Sequence, residues 1–233
     1  MNIIWLGHSG FRIEIGDQVL LVDPWITGNP MFPADRRAEA ISGVTAILVT
    51  HGHGDHSADA VTIGRETGAP VVGTYDLTSY WDQHEKIATI GFNKGGTVRL
   101  GDVAVTLVAA SHSSAFWVDG KPVYAGTEAG FMISGEGRTI YVSGDTDIMA
   151  DMAWMGELHA PDIGILACGG HFTMDMARAA WAARRYFKFR WVIPCHYRTF
   201  PLLEQSAEEL IKGLPGVQVI EPQVLTAITL PGA

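Results

Sequence analysis

Apolar residues occur along this chain in short bursts separated by glycine, proline and aspartate. Residues 2–6 (NIIWL), 11–15 (FRIEI) and 18–22 (QVLLV) are rich in branched and aromatic side chains and are divided by Gly7, Gly10, Gly16 and Asp17, which predicts strands joined by tight turns. The stretch 24–43 holds Pro24, Gly28, Asn29, Pro30 and Pro33 and predicts a long loop with a helical turn, leading into a buried strand, AILVT, at 46–50. Long ordered loops in compact domains are often functional. A helix-compatible segment (57–67), a strand (PVVGT, 70–74) and a helix from Asp76 to Glu85 follow. The middle of the chain again predicts strands, at 97–100, 103–110, 130–134 and 138–143. The last third alternates strand (162–167), amphipathic helix (173–186), strand (190–194), short helix (206–214) and strand (216–220). In the short helix Ser206 and Glu209 have capping-box spacing. Strands bracketed by helices without strict alternation predict an α/β protein whose sheets pack face to face with helices outside. No linker, low-complexity tract or solenoid period interrupts the chain, so one domain over 1–233 is expected.

With 233 residues, 47% hydrophobic and 18% charged, the chain can bury a sizeable core, and disorder or fibrous repeats are poor readings. Sixteen Lys plus Arg against 25 Asp plus Glu give a formal charge of -9. That balance argues against a protein living on attraction to a phosphate backbone, so no nucleic-acid partner is expected. The densest basic stretch, Arg184, Arg185, Lys188 and Arg190, suits a helix C-terminus. Met1 to Gly10 shows no signal-peptide pattern, and no apolar run approaches membrane-spanning length. A cytoplasmic protein with no membrane partner is expected, and a homo-oligomer is left open. Cys168 and Cys195 do not make a disulfide framework; they are expected to behave as small buried hydrophobes.

The strongest chemical signal is Thr50-His51-Gly52-His53-Gly54-Asp55-His56, three imidazoles and a carboxylate in six consecutive residues directly after a buried strand. A strand delivers the chain to the sheet edge, and the two glycines permit a tight turn in which alternate side chains converge. Neutral imidazole and carboxylate suit first-row divalent ions. Four residues cannot close two cation sites, and His112, Asp145 and His196, each after an apolar run, are the candidates that complete the set. His84 and His159 stand alone and read as ordinary histidines.

The signature His51, His53, Asp55, His56 resembles that of the metallo-β-lactamase superfamily. WLGHSGFRI (5–13), DPWITGNP (23–30), THGHGDH (50–56), NKGGTV (93–98), SGDTD (143–147), HFTM (171–174) and PCHYRTFP (194–201) are similar to a metal-dependent hydrolase branch related to the ascorbate-6-phosphate lactonases. The resemblance covers nearly the whole chain. It implies a four-layer αββα sandwich with two divalent ions at one edge of the sheets, zinc first, with manganese, iron or nickel also compatible. It assigns one ion to His51, His53 and His112, the other to Asp55, His56 and His196, with Asp145 bridging. This chain departs from the branch at Gly170-His171, Cys195 and Arg198, where relatives tend to have Asp-Asn, Met and Asn.

Divalent ions held by such donors bring the pKa of water toward neutrality, so the expected activity is hydrolysis of an ester, lactone or phosphoester small molecule, with an anionic substrate in view. Asp55 would orient the nucleophile. His8 would touch substrate or support a ligand, His171 would be a ligand, proton donor or loop residue, and Arg198 would pair with a substrate anion or stand exposed. Three competing readings are weighed against this one. A nuclease or phosphodiesterase is opposed by the charge, a di-iron redox protein by His53 standing where a glutamate would favour one, and a metal-dependent binding module by nothing in the ligands themselves.

Overall fold

The computed structural model describes residues 1–230. Elements are numbered in chain order. The first part carries β1 (Asn2–Gly7), β2 (Gly10–Ile15), β3 (Gln18–Val22), α1 (Arg37–Ile41), β4 (Ala46–Val49), α2 (Gly54–Ser57), α3 (Ala60–Thr67), β5 (Val71–Thr74), α4 (Tyr75–Glu85) and β6 (Thr89–Phe92). The second carries β7 (Thr97–Leu100), β8 (Val103–Ala109), β9 (Ala115–Val118), β10 (Lys121–Tyr124), β11 (Ala129–Gly135), β12 (Arg138–Val142), α5 (Met152–His159), β13 (Ile163–Ala167), α6 (Met176–Tyr186), β14 (Trp191–Cys195), α7 (Glu208–Gly213) and β15 (Gln218–Val219). A last strand, β16 (Ala227–Thr229), returns to pair with β1.

Among the described residues the strands form two seven-stranded sheets, ordered β16-β1-β2-β3-β4-β5-β6 and β15-β14-β13-β12-β11-β8-β7, with β9 and β10 as a separate hairpin. The sheets share one plan. An antiparallel run, β1 to β3 or β7, β8, β11 and β12, passes into parallel strands, β3 to β6 or β12 to β15.

Residue alternation explains the layers. In β3 and β4, Leu20, Val22, Ala46 and Leu48 face a core shared with the second sheet, among them Phe131, Ile133 and Ile165, while Leu21, Ile47 and Val49 face Ala60, Ile63, Leu77 and Trp81 of α3 and α4. Strands covered on both faces must be apolar at every position, which is why AILV reads as an unbroken run. On the other side Met152, Met155, Ala179 and Ala183 of α5 and α6 cover the second sheet. The result is the expected αββα sandwich.

Several local expectations shift. The helix expected over 57–67 is α3 from Ala60, preceded by the short α2 that ends at Ser57, and the helix expected over 173–186 starts at Met176, where Asp175 Oδ1 accepts from Arg178 N at 2.7 Å. The short helix begins at Glu208, and Ser206 Oγ accepts from Glu208 N at 3.2 Å, so the Ser206–Glu209 capping box is not formed. Tyr141 is fully buried, stacked 5.1 Å from Phe187, and its hydroxyl has no hydrogen-bond partner among the described residues. An unsatisfied buried hydroxyl costs about 1–3 kcal/mol. Tyr141→Phe is therefore expected to raise stability by about 1 kcal/mol, seen as a higher urea midpoint at unchanged slope; a lower midpoint would contradict it.

Candidate metal centre

The parallel strands of both sheets run out at the same rim, and the loops leaving them carry the polar residues. His51 to His56 follow β4, Asp145 follows β12 and His196 follows β14, while His112 follows the antiparallel β8. Asp145 Oδ2 is the meeting point: it lies 3.1 Å from His196 Nε2, 3.3 Å from His56 Nε2, 3.6 Å from His112 Nε2 and 4.0 Å from His51 Nε2. Around it are three overlapping groups whose donor atoms lie within 4.8 Å of one another, His51–His53–His112, His8–Asp55–His56–His196 and His51–His56–Asp145. All seven expected donors are thus brought together.

The second bonds of these rings decide what faces inward. Asp23, at the end of β3 beside β4, accepts from Thr50 N (2.8 Å), Thr50 Oγ1 (2.7 Å) and His56 Nδ1 (2.8 Å). Thr50 Oγ1 thus donates to Asp23 and accepts from His51 Nδ1 at 2.9 Å. With Nδ1 the donor on each ring, His51 and His56 turn their Nε2 atoms toward the centre. There His51 Nε2 faces His53 Nδ1 at 3.0 Å. His56 Nε2 and Asp145 Oδ1 are buried with no hydrogen-bond partner among the described residues. Buried lone pairs aimed at one another are repulsive unless a proton or cation lies between them, so this donor set fits divalent cations.

Electrostatics follow the same division. Burial, with His56 nearby, holds His51 well below the usual imidazole value, and burial with His112 lowers His53; burial also lowers His112. Burial would lower His196 too, but Asp145 and Asp55 overcome it and raise it to about 9. His56 is raised against burial by Asp145, Asp55 and Asp23. Burial opposes ionisation of Asp145 and Asp55, yet the surrounding imidazoles hold both carboxyls well below the carboxylate range.

The glycines act through space as well as backbone freedom. A Cβ on Gly52 would stand 2.7 Å from Ala125 Cβ, whereas Gly54 has open space around it; neither has a positive φ. At Gly169 a Cβ would lie 1.8 Å from the His196 carbonyl. Strain sits instead at His8, Asp23, His171 and His196, whose φ angles of 51°, 45°, 35° and 58° are left-handed. Such values cost about 1–3 kcal/mol each and cluster at functional sites.

The remaining candidates separate. His8 is fully buried, with Nε2 3.0 Å from Asp55 Oδ2 and Nδ1 2.8 Å from Thr199 Oγ1. His171 is exposed and edge-on to Phe172; both line a depression of about 290 Å³ that reaches His112. Arg178 lines it too and is ion-paired with Asp147. Arg198 (φ 66°) lines a different depression with Trp5 and Glu221, its guanidinium 5.7 Å over the Tyr197 ring. Cys168 and Cys195 are buried free thiols, and burial pushes Cys168 up to about 12 and raises Cys195 as well.

The model of the β-lactamase superfamily domain matches residues 18–197. The chain belongs to the metallo-β-lactamase superfamily. This superfamily member is 68% identical over 230 residues to a UPF0173 metal-dependent hydrolase of Cereibacter sphaeroides, covering 99% of this chain and 100% of that one. A relative of the same name from Dinoroseobacter shibae is 67% identical over the same span. Among solved structures, the metallo hydrolase Igni18 of Ignicoccus hospitalis is similar with a TM-score of 0.81 and 32% identity, covering 99% of both chains. These relatives place the protein among the metal-dependent hydrolases of the superfamily.

Sequence reasoning missed Asp23, Thr50 and Thr199. Asp23 was within reach: a carboxylate at the end of a strand running parallel to β4 must arrive beside the histidine turn.

Proposed function

We propose that the protein hydrolyses an uncharged small-molecule ester or lactone at a centre of two divalent ions. His51, His53 and His112 would hold one ion, Asp55, His56 and His196 the other, and Asp145 would serve both. Ions in such a cage supply an activated water near neutral pH and polarise a carbonyl.

The chain's own residues do the rest. Asp145 is nearly inaccessible, whereas the Asp55 side chain is 32% exposed. Asp55 is therefore the carboxylate able to orient an incoming water. Asp23 and Thr50 keep His56 and His51 turned inward. His171 and Phe172 stand at the mouth, where they would meet the substrate.

The observation that favours an acyl substrate over a phosphoester is the charge of the lining. The depression beside His112 offers Arg178, which Asp147 already neutralises, and Arg198 lines another depression. The ions would bind the reacting group in either case, so it is a charged remainder of the substrate that needs unengaged side-chain cations; a neutral ester or lactone needs none. Phe172, 53% exposed, adds apolar surface for its side group.

A panel of matched neutral esters, lactones and phosphodiesters, run on zinc- and manganese-loaded protein, tests this. The expected result is turnover of acyl substrates in the loaded protein alone. Preference for phosphodiesters would overturn the acyl assignment, and turnover by metal-free protein would overturn the ion centre.

A further inference from the structure

His8 lies within donor distance of Asp55, His56 and His196 and has the geometry of a further ligand to the second ion. Its tautomer decides whether it acts as one. A carboxylate oxygen only accepts, so the 3.0 Å contact to Asp55 Oδ2 is a hydrogen bond only if Nε2 carries the proton. Nδ1 must then accept, and the atom facing it is Thr199 Oγ1 at 2.8 Å. The same hydroxyl has longer alternatives, Tyr197 O and Met31 Sδ, both at 3.3 Å; the short contact to Nδ1 is its best acceptor.

The ring has little room to rearrange. Trp25 meets it edge-on at 5.3 Å and Phe200 at 5.8 Å. Its carbonyl accepts from Trp5 Nε1 at 2.8 Å and from His196 N at 3.0 Å, fixing the left-handed backbone. The oxygen it holds, Asp55 Oδ2, is also the one 3.6 Å from His196 Nε2 and 3.8 Å from His56 Nε2.

Taking Asp55 as an ion ligand, we propose that Thr199 is a positioning residue: its hydroxyl fixes His8 as an Nε2–H donor, which keeps His8 out of the coordination sphere and holds the ligand oxygen of Asp55 toward His56 and His196. Without that hydroxyl the proton is free to move to Nδ1, and Nε2 becomes a lone pair competing with Asp55 for the cation.

The test compares Thr199→Val, which keeps the volume and removes the hydroxyl, with Thr199→Ser, which keeps the hydroxyl. Ring nitrogen shifts by NMR in metal-free protein report the tautomer; zinc titration against a chelator and the visible spectrum of the cobalt-loaded protein report the site. Wild type and Thr199→Ser are expected to show the Nε2–H form. Thr199→Val should gain the Nδ1–H form, bind its second zinc equivalent about 10–100-fold more weakly and show an altered cobalt spectrum, with the first equivalent unchanged. His8→Gln, whose amide donates from the same place, should retain second-site binding better than His8→Leu.

An Nδ1–H tautomer in wild type with normal zinc uptake overturns this inference alone. So does equal loss in Thr199→Ser and Thr199→Val, which would make volume the cause. A wild-type protein that takes up no zinc overturns the ion-centre reading and this inference with it.

Discussion

Replacing Asp145 with asparagine is expected to leave a folded protein that no longer loads its ions and no longer hydrolyses substrate. Four imidazole nitrogens surround one oxygen of this carboxylate within 4.0 Å, so the substitution changes the charge at the point where both groups of donors meet. Asparagine has nearly the same shape, and the strands on either side keep their apolar packing. Losing the ions' several kcal/mol of transition-state stabilisation corresponds to a fall of about 1,000-fold or more in kcat/KM. Elemental analysis, circular dichroism and kinetics on one preparation decide it. Full activity, or two equivalents of retained metal, would refute the assignment of Asp145; loss of the folded spectrum would make Asp145→Ala and Asp145→Ser the variants to compare. His53→Ala should be nearly as severe in activity and gentler on folding, because His53 is only half-buried.

Metal affinity is expected to climb steeply with pH. In the ion-free protein His196 is raised to about 9 and His56 is raised as well, so both hold protons at neutral pH, while His51, His53 and His112 are lowered and are already neutral. A cation must displace the first two protons and none from the other three rings. The His196 proton alone makes apparent affinity rise about 10-fold per pH unit up to about pH 9, and displacement of a proton from His56 steepens the rise. Calorimetry in buffers of different ionisation enthalpy counts the protons released; a count near zero would contradict the prediction.

The same shifts set the acid and alkaline limits of the ion-free fold. His56 and His196 have folded values above the ordinary 6.5, so their contribution is complete below that value and is lost as pH rises through the folded one, about 9 for His196. Asp55 and Asp145, lowered from 3.8, contribute above that value and lose it as pH falls toward their folded values.

Much of this site is legible in the sequence because its donors follow apolar runs. A buried strand end points to the rim of a sheet, and seven such positions with imidazole or carboxylate side chains specify a common centre even before their spacing in three dimensions is known. The bonds behind the donors are less legible. Thr199 meets His8 across 191 residues, and no local pattern announces that pairing. The left-handed backbone at His8, Asp23, His171 and His196 is equally silent, since none of these residues is glycine and the surrounding packing imposes the angle. The hairpin of β9 and β10 was readable but missed: Asp119-Gly120, with φ of 49° and 73°, is a two-residue turn signal between the short segments AFWV and KPVY. The absent capping box at Ser206 shows the converse, a motif with correct spacing whose helix starts one turn position later than the motif requires.

The donors divide unequally between the two layers: His51, His53, Asp55 and His56 leave the first sheet, and His112, Asp145 and His196 leave the second. A cation in either group of donors would therefore bolt one layer to the other across their open rim. Neither proposed cage would be complete until the second layer has docked, bringing His112 to the first and His196 to the second. Choice among competing cations would thus fall to the folded scaffold rather than to the histidine turn alone.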